Sequence, residues 1–185
     1  MSFLTREEID SMNFKFVGKD VKISKLAVFF NPENIEIDNF SRIDPFCIIS
    51  ASEKGIRIGK YVHIAAYCSF QGNGKIEMQD FSGLSSKVAI YASSDDYSGE
   101  SLTNPCVPMH LKKVTSGDIT IGRHVIIGFN TCIMPNVIIG DGSAVGAFSF
   151  VNRNIPKSVI VSGVPAKIIK NRSQKLFDLE KEIFL

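Results

Sequence analysis

Aliphatic residues recur at a strict step of six in the second half of this chain: Ile121, Ile127, Ile133, Ile139, Val145 and Val151. The next position is Gly at Gly122, Gly128, Gly140 and Gly146, with Met134 and Asn152 completing the set. The position four after each is Val125, Thr131, Val137, Ser143, Ser149 and Ile155, and the first five of these are small or β-branched. The same step organises four earlier triplets: Val17, Ile23, Phe29; Ile37, Ile43, Ile49; Ile58, Ile64, Phe70; and Met78, Leu84, Ile90. Between triplets the step is eight, nine and eight, and from Ile90 to Ile121 it is 31. A helix has a period near 3.6 and an open sheet alternates by two, so neither gives this pattern. Three short flats joined by tight corners do. They make one triangular turn of a parallel β-helix, with the aliphatic residue of each flat pointing into the prism. Irregular spacing once per three repeats places every insertion on one edge. The count predicts four coils before the long break and two after it. Gly at the corners is expected to supply backbone angles that other residues adopt at a cost, and small or β-branched residues to fit the narrowing corner.

An open end of such a stack exposes apolar core and unpaired backbone, so both ends need caps. Thr5-Arg6-Glu7-Glu8 matches a T-x-x-E capping box and predicts a short helix over Arg6–Met12. After Ser173, the residues Leu176, Phe177, Leu179, Ile183 and Phe184 predict a second helix with one apolar side, packed on the prism wall or on a neighbouring subunit. The division expected is a cap over 1–16, a β-helix over 17–170 interrupted by a loop over 91–120, and a C-terminal helix over 171–185, all in a single domain. The loop is polar and holds Ser93, Ser94, Asp95, Asp96, Tyr97 and Glu100. Loops on rigid scaffolds often carry function.

Composition narrows the function classes. With 21 basic and 19 acidic residues in 185, the net charge of +2 leaves no basic footprint for nucleic acid. No apolar run reaches the ~18 residues of a membrane span. The first residues are acidic where a signal peptide is basic and then apolar, which makes the cytoplasm the expected compartment. Cys47, Cys68, Cys106 and Cys132 are widely spaced with no C-x-x-C, so free thiols are expected and no metal site. A P-loop, a Rossmann glycine signature and a G-x-S-x-G elbow are all absent.

Six-residue repeats of this composition resemble those of the hexapeptide-repeat acyltransferases, over roughly residues 17 to 170. The resemblance implies a left-handed β-helix, a homotrimer and active sites in the clefts between subunits. The sugar O-acetyltransferases of that fold carry a His just after the coil that launches the loop, and here the stretch is Ser93-Ser94-Asp95-Asp96-Tyr97. Instead, His63-Ile64-Ala65-Ala66-Tyr67, Ile76-Glu77-Met78, Asp80-Phe81, Tyr91-Ala92, Asp95-Asp96-Tyr97-Ser98-Gly99, His124-Val125-Ile126-Ile127-Gly128 and Gly163-Val164-Pro165 resemble the nucleotide-sugar N-acyltransferases of dideoxysugar pathways, anthrose biosynthesis among them. That group acylates dTDP-4-amino-4,6-dideoxy sugars.

The chemistry fits an amine. A sugar hydroxyl needs a base in contact, worth ~10²–10⁴-fold. A partly neutral amine needs only a carboxylate to orient it and accept a hydrogen bond. Asp95 is the leading candidate, with Asp96 and Glu100 as rivals. His124 is an alternative base, ranked above His63 and His110. His63 and His124 both fall on outward positions of the coils. His63, Tyr97 and Asp95 are the candidate substrate contacts.

The donor implied by the resemblance is acetyl-CoA or another acyl-CoA. Its arm is expected along Gly146 and Ala147, and its phosphates near Gly163, Pro165, Ala166, Lys167 and Lys170, with Lys157 and Arg172 in the same basic cluster. The reading is acyl transfer, expected to be acetyl, from coenzyme A to the amine of a nucleotide-linked deoxysugar. The product would feed surface glycan or lipopolysaccharide biosynthesis. O-acetylation of a sugar and a non-catalytic β-helix scaffold are the alternatives.

Overall fold

A computed structural model describes residues 2–184. The chain climbs a three-sided prism, and each side is a parallel sheet. The first face stacks Phe16–Val17, Ile35–Ile37, Ile56–Ile58, Ile76–Met78, Ile119–Ile121 and Ile138–Ile139. The second stacks Lys22–Ile23, Arg42–Ile43, His63–Ile64, Gly83–Leu84, Ile126–Ile127, Ala144–Val145 and Val159–Ser162. The third stacks Val28–Phe30, Ile48–Ser50, Ser69–Gln71, Ala89–Tyr91, Cys132–Ile133 and Phe150–Val151.

All the hexad positions are buried except Phe29, which is half-buried in the terminal coil and meets Phe14 edge-on at 4.9 Å. In-register stacking, such as Ile35↔Ile56 and Ile76↔Ile56, puts like residue over like. The interior is thus a column of Ile and Val with Phe70 and Met78 among them.

Six coils are complete and a seventh begins. The step of six ends at Val151, since position 157 is Lys157. The stacking continues out of step, through a bridge of Ile155 to Ile139 and a pairing of Val161 with Val145. Beyond Ser162 the chain reverses, and Lys167–Asn171 runs antiparallel to Val159–Ser162.

The corner glycines have a different reason from the one expected. Gly122, Gly128, Gly140 and Gly146 are not among the residues with positive φ. The left-handed position lies two further on and is filled by His124 (φ 57), Asn130 (57), Gly142 (69) and Phe148 (55). What excludes a side chain at the glycine is the next coil. A Cβ on Gly122 would sit 2.7 Å from the Asp141 amide nitrogen, and one on Gly140 2.6 Å from that of Lys157. The small residues four after each hexad position do line the narrowing interior. Their hydroxyls are spent on backbone: Ser143 donates to the Pro156 carbonyl (2.6 Å) and Ser149 to that of Gly146 (2.7 Å).

The N-terminal cap, α1 (Arg6–Ser11), carries the expected capping box, with the Glu8 amide donating to Thr5 Oγ1 (3.2 Å) and the Thr5 amide to Glu8 Oε2 (2.7 Å). Its Ile9 is buried over the first coil. At the other end, α2 spans only Lys175–Leu179 and tightens into a 3-10 turn over Glu180–Phe184. The change of pitch breaks the expected apolar stripe. Phe177 packs on the prism wall, while Leu179 and Ile183 are half exposed. The Phe184 side chain lies outside the described residues, as do Met1 and Leu185.

Candidate active site

The insertion after Tyr91 is an arm with its own secondary structure. Ser93–Asp95 pairs antiparallel with Val114–Ser116, and Met109–Leu111 forms a 3-10 turn near the bend. Two hydroxyls tie its root, since Ser93 and Ser116 share a 2.8 Å hydrogen bond and the Asn73 amide donates to Ser93 Oγ (2.8 Å).

Between the arm and the third face is a cleft of about 690 Å³, lined by Tyr91, Ser93, Ser94, Asp95, Tyr97, Cys132, Met134 and Phe150. The three carboxylates of the arm differ in what they are free to do. Asp95 lines the cleft, and among the described residues it accepts one hydrogen bond, from the Asn104 amide (3.2 Å). Asp96 accepts from the Ser98 amide (2.9 Å), Ser98 Oγ (2.9 Å) and Ser101 Oγ (3.0 Å). Those bonds, the Ser98 amide first, hold its carboxyl below the usual range and commit it to folding the loop. Glu100 is exposed and does not line the cleft. Tyr97 is 91% exposed at the cleft mouth.

The histidines lie elsewhere in the same chain. His63, on the outer side of the second face, pairs through Nε2 with Asp44 (2.9 Å), which also accepts from Arg42 Nε (2.7 Å). His110 is exposed in the arm. His124 occupies the edge between the first and second faces. Its ring stacks on Phe81 (4.9 Å, 8°), closing a ladder of Phe40, Tyr61 and Phe81, and Phe177 covers it edge-on (5.1 Å). The ring points outward from the prism as expected, yet the C-terminal segment leaves its side chain only 12% exposed.

Glu180 is the clasp of this cover. It accepts from His124 Nε2 (2.7 Å) and from Arg123. Burial alone would raise its pKa; the bonds from His124 and Arg123 outweigh that and hold it below the carboxylate value of 4.5. A depressed folded-state pKa means that the clasp is fully present above about pH 4.5 and is lost as pH falls through the folded value. Hydrogen-exchange protection across 175–184 is therefore expected to drop selectively below pH 4.5, with the prism core unchanged. Glu180→Gln should produce the same loss at neutral pH. Unchanged protection in both would refute the clasp.

The expected cofactor segment connects to the cleft through Phe150. The Phe150 amide donates to the Gly163 carbonyl (2.9 Å), and the Ala166 amide to that of Phe150 (2.8 Å). Gly163 (φ 110) and Pro165 lie in the turn where the incomplete seventh coil reverses into the return strand. Gly146 and Ala147 occupy the neighbouring corner beside Phe148, whose ring is 61% exposed. Lys167 and Lys170 are exposed on the antiparallel return strand. Two basic residues of the expected cluster are otherwise engaged. Arg172 Nη1 donates to the carbonyls of His124, Gly142 and Ser143, and Lys157 reaches Asp141. Among the described residues no group of three His, Cys, Asp or Glu is placed to hold a metal ion, and no helix is long and apolar enough to cross a membrane.

Within one chain, then, Asp95 and Tyr97 share the cleft, the expected cofactor segment abuts it, and His63 and His124 lie on other parts of the prism. Sequence reading missed Tyr91, Cys132, Met134 and Phe150. Each immediately flanks an inward residue of the third face (Ile90, Ile133 or Val151), so the hexad pattern marks them as outward neighbours of the arm's root.

Comparison with known proteins agrees with this fold. The family described as bacterial transferase hexapeptide (six repeats) matches residues 118–153. A dTDP-4-amino-4,6-dideoxy-D-glucose acyltransferase of Escherichia coli is 44% identical over 97% of this chain and 94% of its own length. AntD, an N-acyltransferase from Bacillus cereus, superimposes in complex with dTDP and 3-hydroxybutyryl-CoA with a TM-score of 0.95 at 44% identity, covering 99% of this chain and 96% of AntD. A serine-to-alanine variant of AntD in complex with dTDP-4-amino-4,6-dideoxyglucose and coenzyme A also gives 0.95 at 44%, covering 99% and 97%.

Proposed function

The chain belongs to the hexapeptide-repeat bacterial transferases, and from that membership and the cleft beneath the arm we propose that it is an N-acyltransferase. It moves an acyl group from coenzyme A to the amino group of a nucleotide-linked amino-deoxysugar, with dTDP-4-amino-4,6-dideoxyglucose the first acceptor to test. The carrying observation is that the cleft offers a carboxylate and two serine hydroxyls but no imidazole among its lining residues.

The neutral amine attacks the thioester carbonyl carbon, the C–N bond forms and the C–S bond breaks. Asp95 orients the amine and accepts a hydrogen bond from it as positive charge develops on nitrogen. The amine proton passes, directly or by way of Asp95, to the departing thiolate, so amine and thioester become amide and free thiol. Gly146, Ala147, Gly163, Pro165 and Ala166 give the donor's arm a path with little side-chain bulk, and Lys167 and Lys170 meet its phosphates as point charges. Tyr97 closes on the acceptor at the cleft mouth.

The active assembly is a homotrimer, in which a second copy brings His63 or His124 towards the cleft of the first. A coenzyme A thioester and a sugar nucleotide place the reaction in the cytoplasm, ahead of surface glycan assembly. The test is thiol release with the amino sugar nucleotide against its 4-hydroxy counterpart. The hydroxyl acceptor, a far weaker nucleophile at neutral pH than the amine, should be slower by about 10²–10⁴-fold. Equal rates would favour O-acylation, and failure to bind coenzyme A in any acyl form would favour a scaffold.

A further inference from the structure

The third face changes character beneath the arm. One of its outward columns runs in register through Val28, Ile48, Ser69, Ala89, Cys132 and Phe150. Tyr91 and Met134 stand on the other side of the inward residues, Ile90 and Ile133. Where the arm overhangs, the cleft has two chemically distinct sides. The wall carries the hydroxyls of Ser93 and Ser94 and the carboxylate of Asp95. The floor is Tyr91, Cys132, Met134 and Phe150, with no charge on it.

Burial pushes the Cys132 thiol up, so it is neutral at physiological pH, and its sulfur lies 3.8 Å from that of Met134. A neutral thiol beside a thioether is a soft apolar surface that adapts to methylene groups. Sugar hydroxyls and an attacking amine have no use for such a floor. An acetyl group has only one methyl beyond its carbonyl to set against it. In register, Cys132 lies between the small Ala89 and the bulky Phe150. That makes a dip closed at one end by an aromatic ring.

We propose that Cys132 and Met134, closed off by Phe150, form the acyl-chain pocket of this site and select a donor with an uncharged chain longer than acetyl. The proposal rests on the transferase reading above and departs from the acetyl donor expected from sequence. An added methylene in an apolar pocket is discriminated by about 10–200-fold. Selectivity of that order is what the floor should confer.

The experiment measures kcat/KM for acetyl-, propionyl- and butyryl-CoA with dTDP-4-amino-4,6-dideoxyglucose as acceptor. The unaltered protein should favour butyryl over acetyl by at least about tenfold. Cys132→Phe, which fills the dip, should cut that ratio by about tenfold or more. Cys132→Ser, close in size but polar, should move the ratio in the same direction and serves if the larger residue disturbs folding. Asp95→Asn should lower all donors together and leave the ratio alone. A wild-type ratio at or below one overturns the proposal. So do Cys132 variants that weaken every donor by the same factor, because the pantetheine arm and not the acyl chain would then cross the floor. Absence of thiol release with every donor would instead bring down the transferase reading, and this inference with it.

Discussion

Asp95→Asn is expected to lower kcat/KM for the amino sugar nucleotide by about 10²–10⁴-fold, the span associated with loss of a positioned proton acceptor. The substitution preserves size and keeps an oxygen for the Asn104 amide, so the arm should remain folded. Most of the loss should therefore fall on kcat, with KM for the acyl-CoA close to unchanged. Asp96→Asn is the informative contrast. Its carboxylate already serves Ser98 and Ser101, so the change should loosen the loop and raise KM for the acceptor more than it slows chemistry. Steady-state kinetics on both variants decides the assignment. If Asp95→Asn loses less than about tenfold, or roughly 1.4 kcal/mol, Asp95 is not the group that handles the amine. His124 would then be the next residue to replace.

Gly122→Ala should destabilise the prism by about 1–3 kcal/mol, the usual cost of forcing an extra methyl into a filled space. Its Cβ would lie 2.7 Å from the Asp141 nitrogen and 2.8 Å from the Ile139 carbonyl oxygen, and both are backbone atoms of the next coil that cannot swing aside. Asn130→Gly, at a left-handed corner position, should change stability by only a few tenths of a kcal/mol, since Asn tolerates that conformation. Thermal or denaturant unfolding of the two variants separates the explanations. A neutral Gly122→Ala with a strongly altered Asn130→Gly would restore conformational freedom as the reason for the repeat's glycines.

The glycine case shows where periodicity informs and where it stops. The repeat located each glycine correctly, and the structure changed the reason for it. Close approach between coils is a contact between residues about 19 apart, such as Gly122 with Asp141, and no local pattern displays it. The seventh coil escaped for a related reason. Ile155 and Val161 are out of step with the hexads and are recruited by pairing with Ile139 and Val145. The arm was legible as an insertion and as the carrier of Asp95. That it folds back as a hairpin and roofs the third face was not, because Ser93 and Ser116 are far apart in the chain and polar on both sides.

By itself the sequence determined that the chain winds into a three-sided stack, which edge takes the insertions and how the N-terminal end is capped. Those properties are set by spacing, and spacing is fully written in the chain. Only the tertiary structure decided that Asp96 is consumed by its own loop, that Glu180 and Phe177 cover His124, and that Cys132, Met134 and Phe150 become the floor of the cleft. Each of these depends on which side chains meet once coils and termini have packed, and such meetings are set by distance in space between residues that the repeat treats as equivalent.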